Sequence, residues 1–197
     1  TAIYLAEAAM AAGGGAAIDA LPGYPLYVPQ VSDPAGGRPA EGGEFRIAWN
    51  EEFITVTGEL RDSDLVDQGR RNQEQHYQTG DVFEVFLKPA NDTYYWEFYA
   101  TPGALQSAFF FPGRGHLALP ECYAERGLKI VVRTSCDGTL NQWRDRDRSW
   151  RAVVRIPTAA LRQYGAAVGP GAEWRLLVAR YNYSRYLPHP ELSSFPR

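Results

Sequence analysis

From Phe45 to the C-terminus the chain is a succession of short runs rich in β-branched and aromatic residues, each closed by a cluster of Asp, Asn, Gly or Pro. Runs of this length suit strands, and the turn formers between them stop neighbouring runs from merging into longer elements. Strands are expected over 45–49, 52–61, 82–88, 93–101, 106–111, 127–134, 150–156 and 173–181. The clearest alternation sets Phe53, Thr55, Thr57 and Glu59 against Ile54, Val56, Gly58 and Leu60, one face polar and the other apolar. Trp174–Tyr181 has fewer polar residues, as an interior strand would. A single short helix is expected near 157–164, where Pro157 opens Thr158-Ala159-Ala160-Leu161 and Gly165 closes it. The fold class that follows is all-β, an antiparallel β-sandwich with jelly-roll or immunoglobulin-like layers.

A chain of 197 residues buries roughly 70% of its unfolded surface, enough for one core without a metal or a disulfide. One domain over 1–197 is expected. Repeated Pro and Gly in 19–44 forbid a long helix, so 1–44 reads as an extended wrap around the sandwich. Thr1–Ile18 is rich in Ala and Gly but lacks a basic start and is interrupted by Glu7. It is neither a membrane span nor an intact signal peptide, and any export signal is expected to precede Thr1.

The net charge is −3 and the 20 Lys and Arg residues are spread along the chain. Displacing phosphate counterions needs a concentrated cationic surface, so a nucleic-acid partner is not expected. Cys122 and Cys136 flank the apolar run Leu128–Val132 and admit either one disulfide between strand ends or two buried thiols. Neither pairs with His76, His116 or His189 at zinc-ligand spacing.

Catalytic patterns are missing: no Gly-x-Ser-x-Gly elbow, phosphate-cradling loop or His-Glu-x-x-His occurs. Glu84 and Glu97 fall on strands that can be neighbours. Two such carboxyls can hydrolyse a glycosidic bond when held at the right separation, or act simply as hydrogen-bond acceptors on a sheet face, and the second role is the simpler. Asp62, Asp64 and Asp67 follow a strand in one turn; they lack the glycine and terminal glutamate of an EF-hand loop and read as an Asx-rich turn. Arg144-Asp145-Arg146-Asp147-Arg148 alternates in sign and reads as a solvated hairpin loop.

Aromatic residues make up 13% of the chain, with twelve tyrosines and five tryptophans. Sugars offer flat C–H faces and a rim of hydroxyls, which aromatic rings and planar polar groups complement. In Tyr94–Tyr99 the strand period puts Tyr94, Trp96 and Phe98 on a core face, and Tyr95, Glu97 and Tyr99 on a solvent or ligand face. Tyr181, Tyr183 and Tyr186 form a second cluster.

Arg46–Asp62, Gly80–Pro89, Tyr95–Ala104, Trp150–Pro157, Trp174–Tyr181 and Tyr186–Glu191, in that order, resemble the family nine carbohydrate-binding modules and their broader relatives. The resemblance covers Phe45 to the C-terminus. It implies a non-catalytic β-sandwich of polysaccharide-degrading systems, secreted, periplasmic or at the cell surface, whose partner is a mono- or oligosaccharide. Such modules clamp a terminal sugar between two rings. The positions here are His76-Tyr77, just before the Asp-Val-Phe-Glu strand, and Tyr186 in the C-terminal loop, where family members usually carry tryptophan. The implied polar ligands are Glu84 and the strand position of Tyr99, where well-known members have arginine; Arg180 or Arg185 is the candidate replacement. No cofactor is implied beyond a structural calcium, for which no ligand set matches. Two other uses of the fold follow from related sandwiches. One is haem-based electron transfer, for which Met10 is the sole methionine. The other is a structural or assembly role. The sequence carries no signal for oligomeric state.

Overall fold

The computed structural model describes residues 3–4, 15–30, 32, 37–119 and 128–196. Among the described residues eleven strands form two sheets packed face to face. The strands of the first sheet are β1 (Ile3–Tyr4), β2 (Tyr24–Pro25), β3 (Gly43–Trp49), β4 (Phe53–Arg61), β8 (Val131–Asp137) and β9 (Ser149–Pro157). They run in the order β1-β3-β4-β9-β8, with β2 paired to β3. The second sheet has the order β11-β10-β5-β6-β7, from β5 (Val82–Pro89), β6 (Tyr95–Ala100), β7 (Gln106–Phe111), β10 (Trp174–Asn182) and β11 (Glu191–Phe195). Pairing is antiparallel except between β1 and β3. Helix α1 (Gly15–Asp19) precedes β2, and α2 (Thr158–Gln163) follows β9 within the span expected for the helix.

The inner faces follow from register. In β4, Ile54, Val56 and Leu60 point inward, as the alternation predicted, and meet Phe83, Val85 and Leu87 of β5, all essentially inaccessible to water. Each side chain buried this way contributes roughly 1.5–3 kcal/mol. Gly58 shares that face because a Cβ there would come within 2.8 Å of the Phe83 ring. The described part of 1–44 ties the layers together: Tyr24 pairs with Phe45 of β3 while Tyr27 bridges Ser194 in the opposite sheet.

Three sequence expectations are corrected. Strand β8 begins at Val131 rather than 127, because its pairing with β9 sets Cys136 opposite Trp150 and Asp137 opposite Ser149. Strand β11 is absent from the expected set; prolines flank it, and at a sheet edge prolines just beyond the paired residues are tolerated. The acidic and basic alternation at 144–148 is not merely a solvated loop: Asp147 is buried, and its carboxyl accepts from the Leu65 and Thr139 amides, both at 2.7 Å. Cys136 is a free, exposed thiol; Cys122 and Met10 lie outside the described residues.

At one end of the sandwich the core turns polar. Arg180 points inward from β10 and has no exposed surface. Its guanidinium donates to Asp62 at 2.8 Å and to the Glu41 carbonyl at 2.7 Å. Burial pushes the Asp62 carboxyl up to about 6 in spite of that partner. Removing one member of a buried pair strands the other charge, which costs about 3–5 kcal/mol. Asp62→Ala is therefore expected to lower the unfolding free energy by about that amount in urea titrations. The double change Asp62→Leu with Arg180→Met should recover most of the loss; equal instability of the single and double variants would show that the pair is not the cause.

Candidate functional site

The site lies on the outer face of the second sheet. Cross-strand register stacks two rows there, Ala179–Glu84–Tyr99–Ser107 and Leu177–Phe86–Glu97–Phe109. Tyr95 and Phe111 continue the face and stack at 4.8 Å with 6° between their planes. The alternation in 94–99 thus divides one strand between two jobs, with Trp96 and Phe98 in the core and Tyr95, Glu97 and Tyr99 facing outward.

A 3-10 turn, His76–Gln78, crosses the end of this face. It is held by its neighbours: the Tyr183 hydroxyl donates to the Tyr77 carbonyl, and the Tyr183 amide donates to Asp81 at 2.7 Å. Asp81, at the entry to β5, also accepts from the Val66 amide at 2.7 Å. Beside it Gly80 has φ +150°, and a Cβ there would lie 2.3 Å from the Val66 carbonyl oxygen, so only glycine permits this approach.

The Tyr77 ring leans over the sheet, 5.6 Å from the Tyr181 ring and 6.4 Å, edge-on, from Tyr99. Gln75, Tyr77, Glu84, Phe86, Glu97, Tyr99, Phe109, Phe111 and Tyr181 enclose a pocket of about 320 Å³. A larger cavity of about 410 Å³ opens between the sheets near Trp49 and Trp174, and apolar side chains dominate its lining.

Two carboxyls floor the outer pocket. Tyr99 donates its hydroxyl to Glu97 at 2.5 Å, and Tyr95 also bonds to Glu97. Glu84 is 3% exposed, and no hydrogen bond reaches its carboxyl among the described residues. Burial, reinforced by the Glu97 charge, pushes Glu84 up to about 8; burial also raises Glu97. The Tyr99 hydroxyl, buried beside both acids, is held far above the ordinary tyrosine range.

The sequence-predicted residues separate into two groups. Tyr77, Glu84 and Tyr99 come together in the pocket. Tyr186 does not line it; that ring is 46% exposed in the loop after β10, with the Arg146 and Arg185 guanidinium groups over it at 4.8 and 4.6 Å. Arg185 is engaged by Asp64 and the Asp145 carbonyl. His76 is fully buried rather than offered to a ligand, and burial lowers its pKa. Arg180 is sealed inside with Asp62 and cannot stand in for a sugar-binding arginine. Phe86, Phe109, Phe111 and Gln75 were missed. The period-two signal was available for the phenylalanines, since Phe109 and Phe111 alternate with the core residue Phe110, but a triple-Phe run reads as core.

The Glu84 proton has a consequence for stability. Its folded pKa, about 8, lies above the ordinary 4.5, so the folded state holds a proton that the unfolded chain releases. Stability must then fall as pH rises from about 4.5 to about 8. Glu84→Gln removes this dependence. Urea midpoints should be equal for the two proteins near pH 4, with the variant more stable near pH 8 by several kcal/mol, on the order of 4. Parallel pH profiles would contradict the assignment.

No family model matches the sequence, and a search of curated proteins returns no match. Solved structures do. A candidate carbohydrate-binding protein from Bacteroides uniformis superposes with a TM-score of 0.64 at 17% identity, over 99% of this chain and 90% of that one. A family nine carbohydrate-binding module from Caldicellulosiruptor kristjanssonii, in complex with cellotriose, gives 0.59 at 11% identity, over 98% and 83%. Two sheets in this order, matched over nearly the whole chain, give this protein the fold of the family nine carbohydrate-binding modules.

Proposed function

We propose that the protein is a non-catalytic carbohydrate-binding module and that a mono- or oligosaccharide occupies the outer-face pocket. The observation that carries this reading is the pairing, in one sheet-face cavity of about 320 Å³, of aromatic rings with a carboxyl, Glu84, that lines the cavity and takes no hydrogen bond among the described residues. That volume lies at the small end of the range for ligand sites. The Tyr77 and Tyr181 rings supply faces for a pyranose, whose axial C–H groups pack on aromatic surface. Glu84, Glu97 and Gln75 supply hydrogen-bonding partners for ring hydroxyls, and Tyr99 holds Glu97 in place. A ligand hydroxyl would give the Glu84 carboxyl the hydrogen bond that no described protein group supplies.

Tyr186 and Arg185 remain in the proposal as a flanking element reached by a longer chain, and His76 as packing beneath the 3-10 turn. A polysaccharide ligand would place the protein outside the cytoplasm, in the periplasm, at the cell surface or secreted. No helix among the described residues is long and apolar enough to cross a membrane.

Calorimetric titration against a panel of mono- and oligosaccharides tests the proposal. Tyr77→Ala is expected to weaken binding by about 1–3 kcal/mol, roughly five- to 150-fold. Tyr186→Ala should cost less with a monosaccharide and more as the oligosaccharide lengthens. A panel in which no sugar binds the wild-type protein would end the reading.

A further inference from the structure

The charge of the pocket narrows its ligand. Two carboxyls line it and no arginine or lysine does. The groups around it, element by element, leave that balance unchanged. Gln75 and Tyr77 come from the 3-10 turn and its approach, Glu84 and Phe86 from β5, Glu97 and Tyr99 from β6, Phe109 and Phe111 from β7 and Tyr181 from β10. Tyr95 and Tyr183 stand alongside. Arg114 acts on this face only through Tyr95. Lys88 and Arg175 oppose each other one row beyond Phe86 and Leu177, and the Lys88 ammonium is turned to the Pro89 and Asp92 carbonyls.

A neutral hydroxyl could bond to Glu84 but would bring no counter-charge to a pocket lined by two carboxyls and no basic side chain. An ammonium group answers both needs: it carries three donors, forms charge-assisted bonds to carboxylates and is attracted to the faces of tyrosine rings. A bare metal ion fits less well, since no group of three or more metal-ligating side chains occurs among the described residues and the remaining walls are aromatic. Resting on the carbohydrate-binding reading, we propose that the pocket selects an amino sugar, its protonated amine lying between Glu84 and Glu97 against the tyrosine rings. Burial keeps a proton on Glu84 in the empty pocket; the incoming cation displaces it, so binding is coupled to proton release.

Glucosamine, glucose, N-acetylglucosamine and ethanolamine serve as probes, titrated calorimetrically near pH 6.5 in two buffers of different ionisation enthalpy. Glucosamine is expected to bind at least roughly tenfold more tightly than the two neutral sugars and than ethanolamine. It should release close to one proton, about the change expected when one carboxyl ionises. Glu84→Gln and Glu97→Gln, each checked for native circular dichroism, should reduce the preference for glucosamine over glucose to about threefold or less, and Glu84→Gln should abolish proton release. Equal binding of glucose and glucosamine, or glucosamine binding without proton release, overturns the amino-sugar assignment and leaves the carbohydrate reading standing. Ethanolamine binding as tightly as glucosamine, with glucose silent, overturns both, as does silence from all four probes and from the wider sugar panel.

Discussion

A guanidinium with no exposed surface, Arg180, is the group around which this end of the sandwich is organised. A charge removed from water must be met by charge and hydrogen bonds, and Asp62 and the Glu41 carbonyl meet it. Asp62 ends one sheet and Arg180 belongs to the other, so the pair locks the layers together where the loops emerge. Glu41 extends the network to Ser63 and Asn182; burial alone would raise its carboxyl, but these hydrogen bonds bring it below the ordinary range. From there Asp81 and Tyr183 carry the constraint to the 3-10 turn that presents Tyr77. The ring at the pocket is placed by a chain of polar contacts that begins in the interior.

The outer face is ordered on a different principle. A strand buries every second residue, so β6 can contribute Trp96 and Phe98 to the core and Glu97 and Tyr99 to the pocket without compromise. What that face does not do is satisfy Glu84. A buried acid without a partner lowers stability wherever it is ionised, and such a local violation belongs at a site that meets a ligand rather than in a scaffold. Glu97 shows the contrast: on the same surface, two strand positions from Tyr99 and Tyr95, it accepts from both hydroxyls.

What the sequence by itself determined was the local pattern. Alternation within single strands marked Ile54, Val56 and Leu60 as core and split Tyr94–Tyr99 correctly, because the direction of a side chain along a strand depends only on its neighbours in the chain. The order of the strands with their turn formers was likewise enough to identify a sandwich. The tertiary structure decided which faces and loops meet. Tyr77 joined Glu84, Tyr99 and Tyr181, whereas Tyr186 went to the Arg146 and Arg185 side of its loop. His76, next to Tyr77 in sequence, turned inward. Arg180 and Asp62 lie 118 positions apart, and no local periodicity carries information over that distance. The start of β8 and the existence of β11 were hidden for the same reason: both are set by hydrogen bonding to a partner strand, β9 for one and β10 for the other. A side chain's face is a property of its own strand, but its company is a property of the whole fold.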